Sequence, residues 1–217
     1  MNAFTGSKPL SSQKFTIINL KKMQIRWYND LGMYAGQAGL GKVSFAVRTQ
    51  YALDHIPDVA GVICLGACGS LDDAVRTGDI IAGAQIVEHD IHKLSGESKL
   101  MFRSDRDMIA VLKKIAGTLP DIKVHFGIIA GGDENILSAE RKKKLHAETG
   151  AIAAAWEGPG GAKACVCNRI PYLELRAVTD LADEDAIKDF SVNLKTAMQN
   201  LAVIAAAYAE YFALQEN

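Results

Sequence analysis

Two acidic residues in the last third of this chain stand where strands would hand them to a ligand. Glu157 follows the small-residue run Ala151 to Ala155 and Trp156, and Asp180 ends the run Leu173-Glu174-Leu175-Arg176-Ala177-Val178-Thr179. Ligands of open α/β sheets sit beyond the carboxyl ends of the strands. A carboxylate there faces a crevice rather than the core. Two such strand ends at one edge would bring two carboxylates to one small molecule.

Other constellations carry less. Gly66 to Ser70, Gly131 to Asp133 and Gly158 to Gly161 read as small-residue turns that terminate strands. Glycine lets backbone approach a ligand closely, but most such turns only reverse the chain. Neither Gly39-Leu40-Gly41-Lys42 nor Gly158 to Gly161 has the G-x-x-x-x-G-K-[ST] spacing of a phosphate-binding loop. Ser70, His89 and Asp90 suggest a hydrolase triad by type, yet no serine lies in a G-x-S-x-G elbow. His89, Asp90 and His92 lack helical H-x-x-x-H spacing and a clustered third ligand, and read as loop polarity. No metal and no cofactor are expected. Cys64, Cys68, Cys165 and Cys167 lack the CxxC pairs of a structural zinc site and read as reduced thiols of a cytoplasmic protein.

The elements that must position these residues alternate. Phe15 to Leu20 and Met23 to Trp27 are short strand candidates, and Leu31 to Gln37 completes an antiparallel piece. The Gly39–Lys42 turn opens a helix carried on by Val43, Ala46, Val47, Gln50 and Leu53. Strands are expected at Val59 to Leu65, Ile80 to Val87, Ile122 to Ala130, Ala151 to Ala155 and from Pro171 to Asp180. Helices are expected at Asp105 to Gly117, Ser138 to His146 and Gly160 to Asn168. In the final helix, Phe190, Leu194, Met198, Leu201, Ala205, Tyr208 and Phe212 share one face at spacings of three and four, which should pack on the sheet. Strands alternating with helices argue an α/β sandwich with helices on both faces. Residues 1–14 read as a flexible leader and 15–217 as one domain.

Composition excludes several classes. With 217 residues, 49% hydrophobic and 23% charged, the chain can bury a sizeable core. A formal net charge of -1 gives no broad basic face for nucleic acid, and the run Arg141-Lys142-Lys143-Lys144 reads as a solvated helix face. No segment offers the ~18 apolar residues of a membrane span.

Glu157, Arg176 and Asp180 keep the order and spacing of a known motif. Together with Gly39-Leu40-Gly41-Lys42-Val43, Gly66-Ala67-Cys68-Gly69, Gly78-Asp79-Ile80 and Gly131-Gly132-Asp133, they resemble the nucleoside phosphorylase/nucleosidase superfamily. The nearest branch is the 5′-methylthioadenosine/S-adenosylhomocysteine nucleosidases, from about residue 33 onwards. The resemblance implies a three-layer α/β/α sandwich around a mixed, partly barrel-like sheet. It also implies a homodimer or larger homo-oligomer, and cleavage between ribose C1′ and a base nitrogen of a purine nucleoside.

On that resemblance Asp180 is the acid that protonates the departing purine at N7. Glu157 accepts the ribose hydroxyls and favours a cationic sugar, and Arg176 orients nearby carboxylates. Gly66, Ala67, Trp156, Asn135 and Ile136 complete the substrate-binding set. Trp156 replaces the family's usual Met, and its indole either walls the ribose face or fills the pocket. Asn135 stands where an aromatic commonly stacks on the base, and offers a hydrogen bond to a base edge instead.

The nucleophile stays open. Nucleosidases carry a water-activating Glu after their first strand, yet residues 1–32 hold no Glu, and Asp30 is their one acid. That strand is either shortened or replaced by Phe15 to Leu20. Phosphorylases hold phosphate at a turn that here reads Cys64-Leu65-Gly66-Ala67, without Arg or Ser, leaving Lys42 or Arg26 as candidate phosphate ligands. A nucleoside-binding homologue without turnover is the third reading. The segment between Asp90 and Asp105, which lines the 5′ pocket in the nucleosidase branch, is short.

Overall fold

A computed structural model describes residues 10–91 and 99–214. The first nine residues of the expected leader lie outside them, as do residues 92–98, which include His92 and half of the segment between Asp90 and Asp105. Leu10 opens a 3₁₀ turn (Leu10–Ser12) and packs with Tyr28, Leu31 and Ala209.

The chain begins with an antiparallel meander of three strands, β1 (Thr16–Leu20), β2 (Met23–Tyr28) and β3 (Met33–Gly36). A 3₁₀ turn (Asn29–Leu31) joins β2 to β3, and Gly32 closes it with φ 57°. Helix α1 (Gly41–His55) follows.

The second sheet holds β4 (Val62–Ser70), β5 (Ile80–Glu88), β6 (Leu100–Arg103), β7 (Val124–Gly131), β8 (Ala151–Ala155) and β9 (Tyr172–Asp180). Its order is β6-β5-β7-β8-β4-β9, and β5 also pairs with β9. Strands β5, β7, β8, β4 and β9 therefore close a five-stranded mixed barrel, with β6 attached outside it. Helices α2 (Arg106–Ala116), α3 (Ala139–Thr149), α4 (Gly158–Asn168) and α5 (Ala186–Ala213) flank the barrel. This is the α/β architecture with a partly barrel-like sheet that the resemblance implied.

Local chemistry explains the helix ends. Asp105 caps α2 by accepting from the amides of Asp107 and Met108. Ser138 caps α3 by accepting from Arg141 N, and Gly150 ends it at φ 67°. Leu112 and Ile115 of α2 meet Leu201, Ile204 and Tyr208 of α5 over Leu173, Leu175 and Ala177 of β9. The barrel interior holds Cys68, Val75, Ile81, Ile129, Ala153, Ala155 and Val178.

Four expectations are corrected. Gly66 to Ser70 is no turn: β4 continues through it to Ser70. Its small residues leave room for larger groups on β9, since a side chain at Gly66 would collide with Arg176, and one at Gly69 would sit 2.7 Å from Asp180 Oδ1. Gly158 to Gly161 is the first turn of α4, with proline in a position a helix start tolerates. A side chain at Gly160 would collide with the Lys42 carbonyl, so these glycines let α4 pack against α1.

In α5 the expected stripe divides. Leu201, Ala205 and Tyr208 are buried, whereas Phe190 and Phe212 are more than 40% exposed. Finally, Phe15 to Leu20 supplies no barrel strand. It is contained in β1 but for Phe15, and β1 pairs with β2 alone. No strand pairing joins the meander to the barrel among the described residues, and β3 and β4 both border one large cavity.

Candidate active site

That cavity measures ≈1810 Å³, larger than the roughly 300–1,000 Å³ of most small-molecule sites. Gly66, Ala67, Asn135, Ile136, Trp156, Glu157, Arg176 and Asp180 all stand on its wall. The whole sequence-derived set thus shares one space.

Strand alternation sorts β9. Leu173, Leu175 and Ala177 face the helices, and Glu174, Arg176, Val178 and Asp180 face the other way. Arg176 is 2% exposed. Its Nε donates to Glu174 Oε1 at 2.7 Å and its Nη1 to Glu157 Oε2 at 2.8 Å. Its Nη2 meets Cys64 Sγ at 3.2 Å.

Glu157 is the residue that enters α4. Its other oxygen, Oε1, lies 3.5 Å from Gly41 N at the start of α1. Leu40 offers α1 no capping side chain, so acidic groups serve the first amides instead. The Lys42 amide donates to Asp133 Oδ1 at 2.9 Å. Positive φ at Gly39 (86°) and Gly41 (80°) aims this helix start at the acids.

Two antiparallel-running strands deliver Glu157 and Asp180, not neighbouring parallel ones. The end of β4 pairs antiparallel with β8 at Gly69 and Ser70, and parallel with β9 up to Asp180. Barrel closure through β4 is what brings the two strand ends to one cavity.

Asp180 is 8% exposed. Its Oδ1 accepts from Ala182 N at 3.1 Å, and its Oδ2 lies 2.8 Å from Thr179 Oγ1. Burial, the largest influence, pushes the Asp180 carboxyl above the usual carboxylate range. The Thr179 and Ala182 hydrogen bonds oppose that push, and Asp183 and Asp189 add to it. A carboxyl so placed is suited to holding a proton and giving it to a ligand.

Asn135 and Ile136 ride on a stapled loop. Arg141 grips Glu134 with two bonds of 2.7 Å, Asp133 N donates to Asp90 Oδ2 at 2.9 Å, and Ile136 is buried. Trp156 Nε1 donates to the Glu134 carbonyl at 3.0 Å, which ties the indole to that loop. His89 lies beneath Gly132, where burial pushes its pKa down. Among the described residues no group of three or more His, Cys, Asp or Glu could hold a metal ion.

Sequence reasoning passed over Glu174 and Thr179. Glu174 carried a signal: it is a lone charge in an apolar run, two residues before an arginine. Thr179 carried none beyond its place beside Asp180.

Residues 9–210 match the family described as Phosphorylase superfamily. The chain belongs to the phosphorylase superfamily. A 5′-methylthioadenosine/S-adenosylhomocysteine nucleosidase of Exiguobacterium sp. is 29% identical over 181 residues, covering 79% of this chain and 77% of its own. The nucleosidase of that name from Helicobacter pylori, solved with butyl-thio-DADMe-Immucillin-A, superposes with a TM-score of 0.83. It is 27% identical, over 93% of this chain and 90% of that one. Futalosine hydrolase of Helicobacter pylori superposes with a TM-score of 0.82 at 26% identity, over 92% and 89% of the two chains. The superfamily expectation thus holds, with named nucleosidases among the relatives.

Proposed function

We propose that this phosphorylase-superfamily chain hydrolyses the N-glycosidic bond of a purine nucleoside, as its relatives' names indicate for them. The observation that carries the reading is the placement of Asp180 and the Glu157–Arg176 pair on one cavity wall. Asp180 gives its proton to N7 of the purine, so that the base leaves neutral. Glu157 accepts from the ribose hydroxyls, and its charge favours the oxocarbenium-like sugar. The Trp156 indole, held by the Glu134 carbonyl, forms part of the wall. Asn135 presents an amide to a base edge, and the backbone of Gly66 and Ala67 lines the approach.

Charge placement favours water over phosphate as the nucleophile. Among the described residues the cavity's cationic side chains are Arg48 and Arg176. Arg176 is committed to two carboxylates. Lys42 is tied to Glu88 at 2.8 Å and Asp90 at 2.6 Å, and Arg26 lies over the Phe15 ring.

A second copy of the chain completes the assembly. Leu40, Val43 and Val47 are 78%, 73% and 62% exposed along one side of α1, an apolar stripe that monomers rarely leave open. Four free cysteines agree with a reducing cytoplasmic setting. No helix is long and apolar enough to cross a membrane among the described residues.

The test is a nucleoside panel of methylthioadenosine, S-adenosylhomocysteine, adenosine and inosine, with and without phosphate. Free base and free sugar without phosphate are the expected products. A sugar 1-phosphate that forms only with phosphate would make the protein a phosphorylase. Ligand-induced thermal stabilisation without product would make it a binding protein.

A further inference from the structure

Glu174 is a charged residue in a strand whose every position from Tyr172 to Asp180 is buried. A lone carboxylate there would be costly, because burial strips water from the charge. Its partner is Arg176, and the same guanidinium reaches Glu157. The side chains of Glu174 and Arg176 are 0% and 2% exposed, and that of Glu157 is 13% exposed. Of the three, Glu157 is the most open.

The surroundings are shaped for this trio. A side chain at Gly158 would collide with the Glu174 carboxylate, and one at Gly66 with the Arg176 guanidinium. Glu174 thus lies against the start of α4, where helix amides favour negative charge. Its Oε2 has no hydrogen-bond partner among the described residues, so Arg176 is its one strong tie. The third arm of Arg176 goes to the buried Cys64 Sγ.

Arg176 facing Glu157 alone would make a neutral pair, and the group nearest the sugar would lose much of its field. Burial raises the Glu174 pKa and the Arg176 guanidinium draws it back down; with both carboxyls ionised, two carboxylates sharing one guanidinium leave a net negative charge. We propose that Glu174 is a positioning residue that occupies Arg176, so that Glu157 is held in place yet keeps its negative charge for the cationic sugar of the transition state. The inference rests on the proposed glycosidic cleavage.

Glu174→Gln keeps the shape and leaves an oxygen for Arg176 Nε, but removes the charge. Calorimetry compares two unreactive purine nucleoside analogues, one with a protonated pyrrolidine in place of ribose and one with a neutral cyclopentane. The wild type should prefer the cationic analogue. Glu174→Gln should lose that preference on the order of tenfold, with the neutral analogue bound within about twofold of wild type. On substrate, kcat should fall with little change in KM. Glu174→Asp retains the charge and should retain most of the preference.

Equal weakening of both analogues by Glu174→Gln would make Glu174 a packing residue and overturn the inference. If that variant does not fold, the wild type and Glu174→Asp decide. Both must prefer the cationic analogue, and equal binding of the two analogues by either overturns the inference. A wild type that cleaves nucleosides but binds both analogues equally removes this inference and leaves the function. A wild type with the cationic preference but no cleavage does the reverse.

Discussion

Gly66 lies directly against the guanidinium of Arg176, so close that a single added methyl would collide with Nη1. A glycine on β4 thus makes room for a buried arginine on β9, and that arginine holds the carboxylate of Glu157. Packing and site chemistry meet at this contact.

Gly66→Ala should therefore injure both. Overpacking of this kind typically costs about 1–3 kcal/mol. The melting temperature should drop, and kcat should fall further than the folded fraction explains, because Arg176 must move from Glu157. Thermal denaturation paired with kinetics below the melting range checks this. A folded variant with wild-type kcat would show that the arginine's position is not needed.

Asp180→Asn should remove the proton donor and lower kcat by about 10²–10⁴-fold, with circular dichroism unchanged. The pH dependence has a defined sign. The acid works protonated, so the rate should decline as pH rises through its upward-shifted pKa. The same shift bears on stability. The folded state holds this proton more tightly than the unfolded chain, whose value is about 3.9. The stability it contributes is full below that value and lost as pH rises through the folded value. Near neutral pH Asp180→Asn should melt no lower than wild type. A clear drop in its melting temperature there would contradict the raised pKa.

Trp156→Phe keeps a flat apolar ring but deletes the hydrogen bond to the Glu134 carbonyl. Such a bond is worth about 0.5–1.5 kcal/mol. The loop carrying Asn135 should loosen and KM should rise several-fold, with kcat less affected. Steady-state kinetics on the best substrate of the panel decides. An unchanged KM would mean that the indole tie does not position this loop.

Val47→Glu places a charge on the exposed α1 stripe. Light scattering should show a smaller assembly than wild type, with the secondary structure intact. An unchanged mass would move the expected interface elsewhere.

The residues alone reached far in some places. Apolar runs ending at Asp180 and Ala155, helices beginning at Asp105 and Ser138, and the alternation of strands with helices all follow from local periodicity and end signals. The grouping of Glu157, Arg176 and Asp180 came instead from the resemblance of their order and spacing to a known motif. The glycine-rich stretches misled. Gly66 to Ser70 and Gly158 to Gly161 look like turns by composition, yet one is strand and the other helix. Each glycine there answers a neighbour distant in the chain.

Tertiary structure decided the rest. Arg176 and Cys64 lie 112 residues apart in the chain, and Gly41 and Glu157 lie 116 apart. Whether a carboxylate is charged, shared or poised with a proton depends on which groups surround it and how little water remains. Those are properties of distance in space. For that reason strand ends and candidate acids could be read from residue order, whereas barrel closure, the sharing of Arg176 by Glu157 and Glu174, and the burial that shifts Asp180 needed the folded chain.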